Sequence, residues 1–182
     1  PHLNVGAGPV DAILKARADG PFTTLGDFAR RVDMRLVGRR ALESLIQVGA
    51  LDCFGERAAL LKGIETIMGF STSHFRALEA GQMSLFGALV SDGVGEEISL
   101  PTDAVPDKPQ YLAWERELIG LYVSDHPLNA YINNLRGRVT HLSNQLEEAA
   151  NKEKVIVGGM ITASRAHVTA KGKPMGFATI ED

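Results

Sequence analysis

Val5-Gly6-Ala7-Gly8-Pro9 is the stretch whose reading decides the fold. Two glycines one residue apart let backbone N–H groups come close to an anion, and the positive end of a helix behind them favours a phosphate. Pro9 suits a helix start, where its missing N–H costs no hydrogen bond. Val10, Ile13 and Leu14 then fall on one face and predict a buried stripe, which Gly20-Pro21 ends. A nucleotide-binding glycine loop would need a preceding strand and a third glycine, and neither is present.

Working outward, Thr24 and Asp27 carry the spacing of a capping box, with Leu25, Phe28, Ala29 and Val32 as the buried stripe behind it. A third helix is expected over 39–48, ending at Gly49 and burying Leu42, Leu45 and Ile46. Gly49-Ala50-Leu51-Asp52 then leads through Phe54-Gly55 into a long helix carrying Ala58, Leu61, Ile64, Ile67 and Met68, its pattern fading at 69–73. Gly6 to Gly8 fits the hairpin of a helix–hairpin–helix, whose amides grip a DNA backbone phosphate. Gly49 to Leu51 reads as a second, more degenerate copy. The alternative for both is an ordinary turn between helices, where glycine at the C-terminal end is common. Arg30, Arg31, Arg35, Arg39 and Arg40 crowd between the hairpins. Guanidinium forks suit phosphate oxygens, so they form a candidate sequence-independent DNA patch, Arg39 and Arg40 foremost. The other reading is a solvated turn paired with Asp27 and Glu43.

Gln82-Met83-Ser84-Leu85-Phe86, between Gly81 and Gly87, has two adjacent apolar anchors and an amide, the make-up of a short docking peptide. A buried strand of Met83, Leu85, Ala88 and Val90 is the competing reading. Residues 91–109 follow as an acidic linker broken by Pro101, Pro106 and Pro109. Tyr111, Leu112, Glu115, Leu118, Ile119 and Tyr122 mark a further helical block, broken at Ser124-Asp125-His126-Pro127. Short helices are expected through Leu135 and over 143–150. The period then changes to two: 155–162, 165–170 and 175–180 read as three strands, the last two joined by Lys171-Gly172-Lys173. Three strands are too few to close a barrel.

The 182 residues are 45% apolar and 23% charged, which places the chain among globular proteins. Its apolar runs are too short to span a bilayer, and no signal peptide opens it. With Pro1 first and no initiator Met, it reads as a piece of a longer protein. The lone Cys53 excludes an internal disulfide, and a reducing cytoplasmic setting is expected. The net charge of −3 argues against coating nucleic acid by bulk charge. Asp92, Glu96, Glu97, Asp103 and Asp107 stand without a base between residues 91 and 107, so the flanking blocks are near neutral. No metal-ligand spacing, serine elbow or phosphate loop appears, and no residue is assigned to catalysis or to a metal.

In this order the segments resemble the C-family replicative DNA polymerases of bacteria, the alpha subunits of DNA polymerase III. Val5 to Gly8 with Ala12-Ile13 and Ala16-Arg17 resembles the family's first hairpin. Arg39-Arg40, Leu42-Glu43, Leu45-Ile46 and Gly49 to Asp52 are similar to its second. Gln82 to Phe86 resembles its clamp-binding segment, with Ser84 where other members carry Asp. Trp114 to Tyr122 with Ser124 and His126-Pro127-Leu128 is similar to the stretch before its OB domain, Asp125 standing where Gly is expected. Residues 155–182 resemble the first three strands of that OB-fold.

The resemblance implies a mainly α chain divided into five parts. These are a tandem helix–hairpin–helix domain (1–80), a clamp-binding segment (81–90), the acidic linker (91–109), a helical connector (110–152) and a truncated OB-fold (153–182). It implies contacts to duplex backbone through Val5, Gly6, Ala7, Gly8, Gly49, Ala50, Leu51, Arg39 and Arg40. It also implies partners in the sliding clamp, single-stranded template and other replicase subunits. The Mg2+-dependent nucleotidyl transfer would be catalysed by aspartates outside these residues. A helix–hairpin–helix module of a repair nuclease or helicase, an error-prone relative, or a helical scaffold without a DNA role are the alternatives.

Overall fold

The computed structural model describes residues 4–80 and 97–182, so the Gln82 to Phe86 segment lies outside the described residues. The chain is mainly helical with a small antiparallel sheet at its C-terminal end, and it divides into two units, 1–124 and 125–182.

The first unit is built from α1 (Ala7–Arg17), α2 (Leu25–Arg31), α3 (Met34–Val37), α4 (Arg39–Gln47), a 3-10 turn (Asp52–Phe54), α5 (Arg57–Lys62), α6 (Ile64–Glu79) and α7 (Lys108–Leu118). The stripe expected of α2 is the centre of the core: Leu25, Phe28, Ala29 and Val32 are all buried, with Met34, Leu42, Ile46, Leu60, Ile64 and Ile67 around them. The Phe28 ring meets Phe22 edge-on and stacks on Phe54, so the turn after α4 closes over α2. The Thr24 hydroxyl caps α2 by accepting the Asp27 N–H, 3.0 Å away. The reciprocal bond is displaced by one residue, the Asp27 carboxylate accepting from the Thr23 N–H. Ser71 on α6 joins the α2–α3 corner to the core: its hydroxyl donates to the Val32 carbonyl and accepts the Met34 N–H.

Three expectations are corrected in this unit. Of the α1 stripe only Ile13 packs against the core, while Val10 and Leu14 are exposed, because α1 lies at the edge of the unit. The long helix expected after Phe54-Gly55 is two helices, α5 and α6, divided at Gly63, and α6 continues to Glu79 rather than fading at 69–73. Leu100 and Pro101 lie against Gly63, where a side chain would collide with Leu100. The acidic segment is likewise not a free linker throughout: Ile98 joins the core and Asp103 pairs with Lys62.

The second unit contains a 3-10 turn (Pro127–Tyr131), α8 (Ile132–Leu135), a second 3-10 turn (Ser143–Glu148) and two strands, β1 (Met160–Val168) and β2 (Pro174–Glu181). His126 caps the first turn, its Nδ1 accepting the Leu128 N–H. The three expected strands are two. β1 runs across the break read at 163–164, because a β-bulge between Ile161 and Ala163 absorbs the irregularity within one strand. The 155–159 stretch does not enter the sheet; Ile156 bonds instead with Thr140, and its carbonyl also accepts the His141 N–H. The turn at 171–173 is present, closed by the Gly172 N–H to the Thr169 carbonyl. Ile161, Val168, Phe177 and Ile180 remain exposed on the hairpin.

Candidate nucleic-acid interface

The first hairpin is open. Gly6 is the N-cap of α1 in extended backbone, with no side-chain cap and no acidic residue in the first turn. The first intrahelical bond runs from the Val10 N–H to the Gly6 carbonyl, so the Ala7 and Gly8 amides have no acceptor within the helix. Gly6, Ala7 and Gly8 are exposed and Val5 half-buried. A Cβ added at Gly6 or Gly8 would meet nothing within 4 Å. Among the described residues nothing in the packing requires either glycine, and the space beside them, at the positive end of the helix, is free.

The second hairpin is closed. Gly49 follows α4 in the left-handed region, φ +81°, and the chain forms a Schellman cap: the Gly49 N–H donates to the Ile46 carbonyl and the Ala50 N–H to that of Leu45. Leu51 is buried, and the Asp52 and Phe54 amides return to the Gly49 and Leu51 carbonyls. A Cβ at Gly49 would lie 2.2 Å from Arg57 Nη2. The room left by this glycine is taken by a guanidinium of the same chain.

That guanidinium is Arg57, which is 4% exposed while its partner Glu115 is 0% exposed. It donates to both Asp52 carboxylate oxygens, to the Gln47 carbonyl (3.1 Å) and to Glu115 Oε1 (2.8 Å). Glu115 Oε2 accepts the amides of Val123 (2.6 Å) and Ser124 (3.0 Å). Burial would raise the Glu115 carboxyl, but these amides and Arg57 outweigh it and hold the group below the ordinary carboxylate range. Tyr111, one turn earlier on α7, bonds through its hydroxyl to the Glu56 carboxylate and accepts the Ala58 N–H at the start of α5. Sequence reasoning missed this network. Its signal was a charge on an apolar stripe: Arg57 is in helical register with Leu60, Ile64 and Ile67, and Glu115 with Tyr111 and Leu118.

The arginine cluster separates into roles. Arg31 is internal bracing: it donates to the Ala16 and Gly20 carbonyls, pairs with Asp27 and lies over the Phe22 ring. Arg35 bridges Asp33 and Glu79. Arg39 pairs with Glu43 and Glu65. Arg40 is exposed and makes no ion pair among the described residues. Arg39 and Arg40 stand in the first turn of α4, whose N-cap Gly38 offers no side-chain cap. Two cations at the positive end of a helix are unfavourable alone. A phosphate there would meet the fork of Arg40 and the uncapped amides together.

Among the described residues no group of three or more His, Cys, Asp or Glu is placed to hold a metal ion, and no helix is long and apolar enough to cross a membrane. In the second unit a pocket of about 520 Å³ is walled by Leu128, Ile132, Leu135, Val139 and Leu142, with His126 and His141.

Residues 3–60 match the helix-hairpin-helix motif family. Over 98% of its length the chain is 34% identical to DNA polymerase III subunit alpha of Vibrio cholerae and 36% identical to that of Haemophilus influenzae. Over its whole length it is 36% identical to that of Halalkalibacterium halodurans. The resemblance seen in the sequence therefore holds from end to end: the chain is similar throughout to one stretch of the DNA polymerase III alpha subunits. It spans 16% of the length of these relatives.

Proposed function

We propose that this chain is the DNA-holding region of a bacterial replicative polymerase large subunit. The observation that carries the reading is the open first hairpin inside the segment that matches the helix-hairpin-helix family: exposed residues at an uncapped helix end, and glycines that nothing among the described residues requires. Val5 to Gly8 would receive one phosphate of a duplex, and Arg39 and Arg40 at the start of α4 another. Because the Gly49 and Ala50 amides are spent on α4's own carbonyls, Gly49 to Leu51 would contribute by shape and by holding α4 rather than by gripping a phosphate. Binding of this kind reads backbone, not bases, and weakens steeply with salt. Duplex titrations of the chain at rising salt test it, and affinity indifferent to salt would count against it.

The finer roles rest on the resemblance. Gln82, Met83, Ser84, Leu85 and Phe86 would dock into the sliding clamp, Leu85 and Phe86 in an apolar pocket and Gln82 at its rim. Replacing Leu85 and Phe86 with Ala should abolish clamp binding and leave folding intact; undiminished affinity would refute the tether. The β1–β2 hairpin would begin an OB-fold beside single-stranded template. The parent would be a DNA-directed DNA polymerase working with other replicase subunits in the bacterial cytoplasm on the nucleoid. Its metal-dependent nucleotidyl transfer would use Mg2+ held by residues outside this chain.

A further inference from the structure

We propose that Glu115 is a positioning residue for the second hairpin, so that α7, far along the chain, is a working part of the DNA-binding unit. The proposal rests on the DNA-holding reading for its binding consequence but not for the coupling itself.

The route is continuous and buried. Glu115 Oε1 accepts from Arg57 at 2.8 Å, and Arg57 in turn holds the Gln47 carbonyl at the end of α4 and both oxygens of Asp52 inside the hairpin. Nothing smaller than a guanidinium fork reaches these three acceptors at once. The absent Cβ of Gly49 is what admits it. The other oxygen of Glu115 holds the Val123 and Ser124 amides, the last residues of the first unit. Removing the Glu115 charge would leave Arg57 buried with one carboxylate partner fewer, and that loss falls on the loop Arg57 spans. The end of α4 and the exit turn at 123–124 therefore open together. α4 carries Arg39 and Arg40, so a looser hairpin presents them less well to duplex.

Amide hydrogen exchange and duplex binding on the full chain test this. Glu115→Gln keeps the shape and removes the charge. Exchange over 49–54 and 123–124 should accelerate together by about tenfold or more, with the α1 amides unchanged. Duplex affinity should fall by about three- to tenfold with its salt slope unchanged, since no phosphate contact is lost. Glu115→Asp, which retains the charge, should recover most of both effects. Acceleration confined to 123–124 overturns the proposal, because Glu115 would then hold only its own turn. Should Glu115→Gln not fold, the unmodified chain decides: in native-state exchange the two segments open as one unit, and separate openings overturn the proposal. An unmodified chain that shows the joint opening but binds no duplex would refute the DNA-holding reading and leave the coupling in place.

Discussion

The two hairpins of the first unit carry similar sequence signatures and are opposite in construction. At Gly6 to Gly8 the glycines meet no other described residue and the helix end has no side-chain cap. At Gly49 the glycine faces Arg57, the amides close a helix cap, and the surroundings are as tightly satisfied as a core. A glycine in a hairpin thus marks a close approach, but not by what. In the proposed reading the approaching group at the first copy is external; at the second it is a side chain of the same protein, held by a carboxylate 58 residues further on.

This contrast makes the copies respond oppositely to substitution. The largest effect is expected of Arg57→Ala, which strands Glu115 as an unpaired buried carboxylate. Destabilisation of about 3–5 kcal/mol should appear in denaturant unfolding of the first unit. Gly49→Ala follows: left-handed backbone costs an alanine about 1–2 kcal/mol, and displacing the Arg57 guanidinium adds a comparable amount. Loss of Thr24, which caps α2 beside neither glycine, sets the ordinary scale; Thr24→Ala should cost about 1 kcal/mol. The smallest effect has the opposite sign. Gly8→Ala lies within α1 with free space around it and should stabilise by about 0.5–1 kcal/mol in thermal unfolding. A loss there matching that at Gly49 would erase the distinction.

Acid offers a second way to separate them. Glu115 is held below the ordinary carboxylate range despite its burial. Its contribution is therefore complete above its unfolded value, near 4.5, and is lost as pH falls through the lower folded value. Asp33, bonded by Arg35, and Asp27, where the Thr23 amide and Arg31 outweigh burial, act in the same direction. Lowering the pH below about 4 should speed exchange at 49–54 ahead of that at 7–17. The reverse order would break the comparison.

Much of this was legible in the sequence. The α2 stripe, the Thr24 cap, the α4 boundaries to within a residue and the turn at 171–173 follow from local periodicity and turn chemistry. What was not legible depends on distant partners. Val10 and Leu14 carry the pattern of a buried face, yet the pattern does not say whether another element covers it. The division at Gly63 falls where Leu100 and Pro101 pack against the chain. The merging of two expected strands into β1 rests on a bulge, which a period-two pattern registers as a break. The same holds at the interface. The five clustered arginines were visible, but only the structure separates Arg31, bound to backbone carbonyls, from exposed Arg40. Arg57 and Glu115 sat in plain view on apolar stripes, and a charge in such a register is the mark of a buried pair.

In the proposed reading the first hairpin, and not the second, grips duplex backbone. Gly6→Glu with Gly8→Glu places carboxylates where a phosphate would sit, at positions where an added Cβ meets no described residue within 4 Å. In a fluorescence-anisotropy titration of a duplex, affinity should fall by at least about tenfold at moderate salt, with a melting temperature close to that of the unmodified chain. Undiminished affinity in that double variant would contradict it.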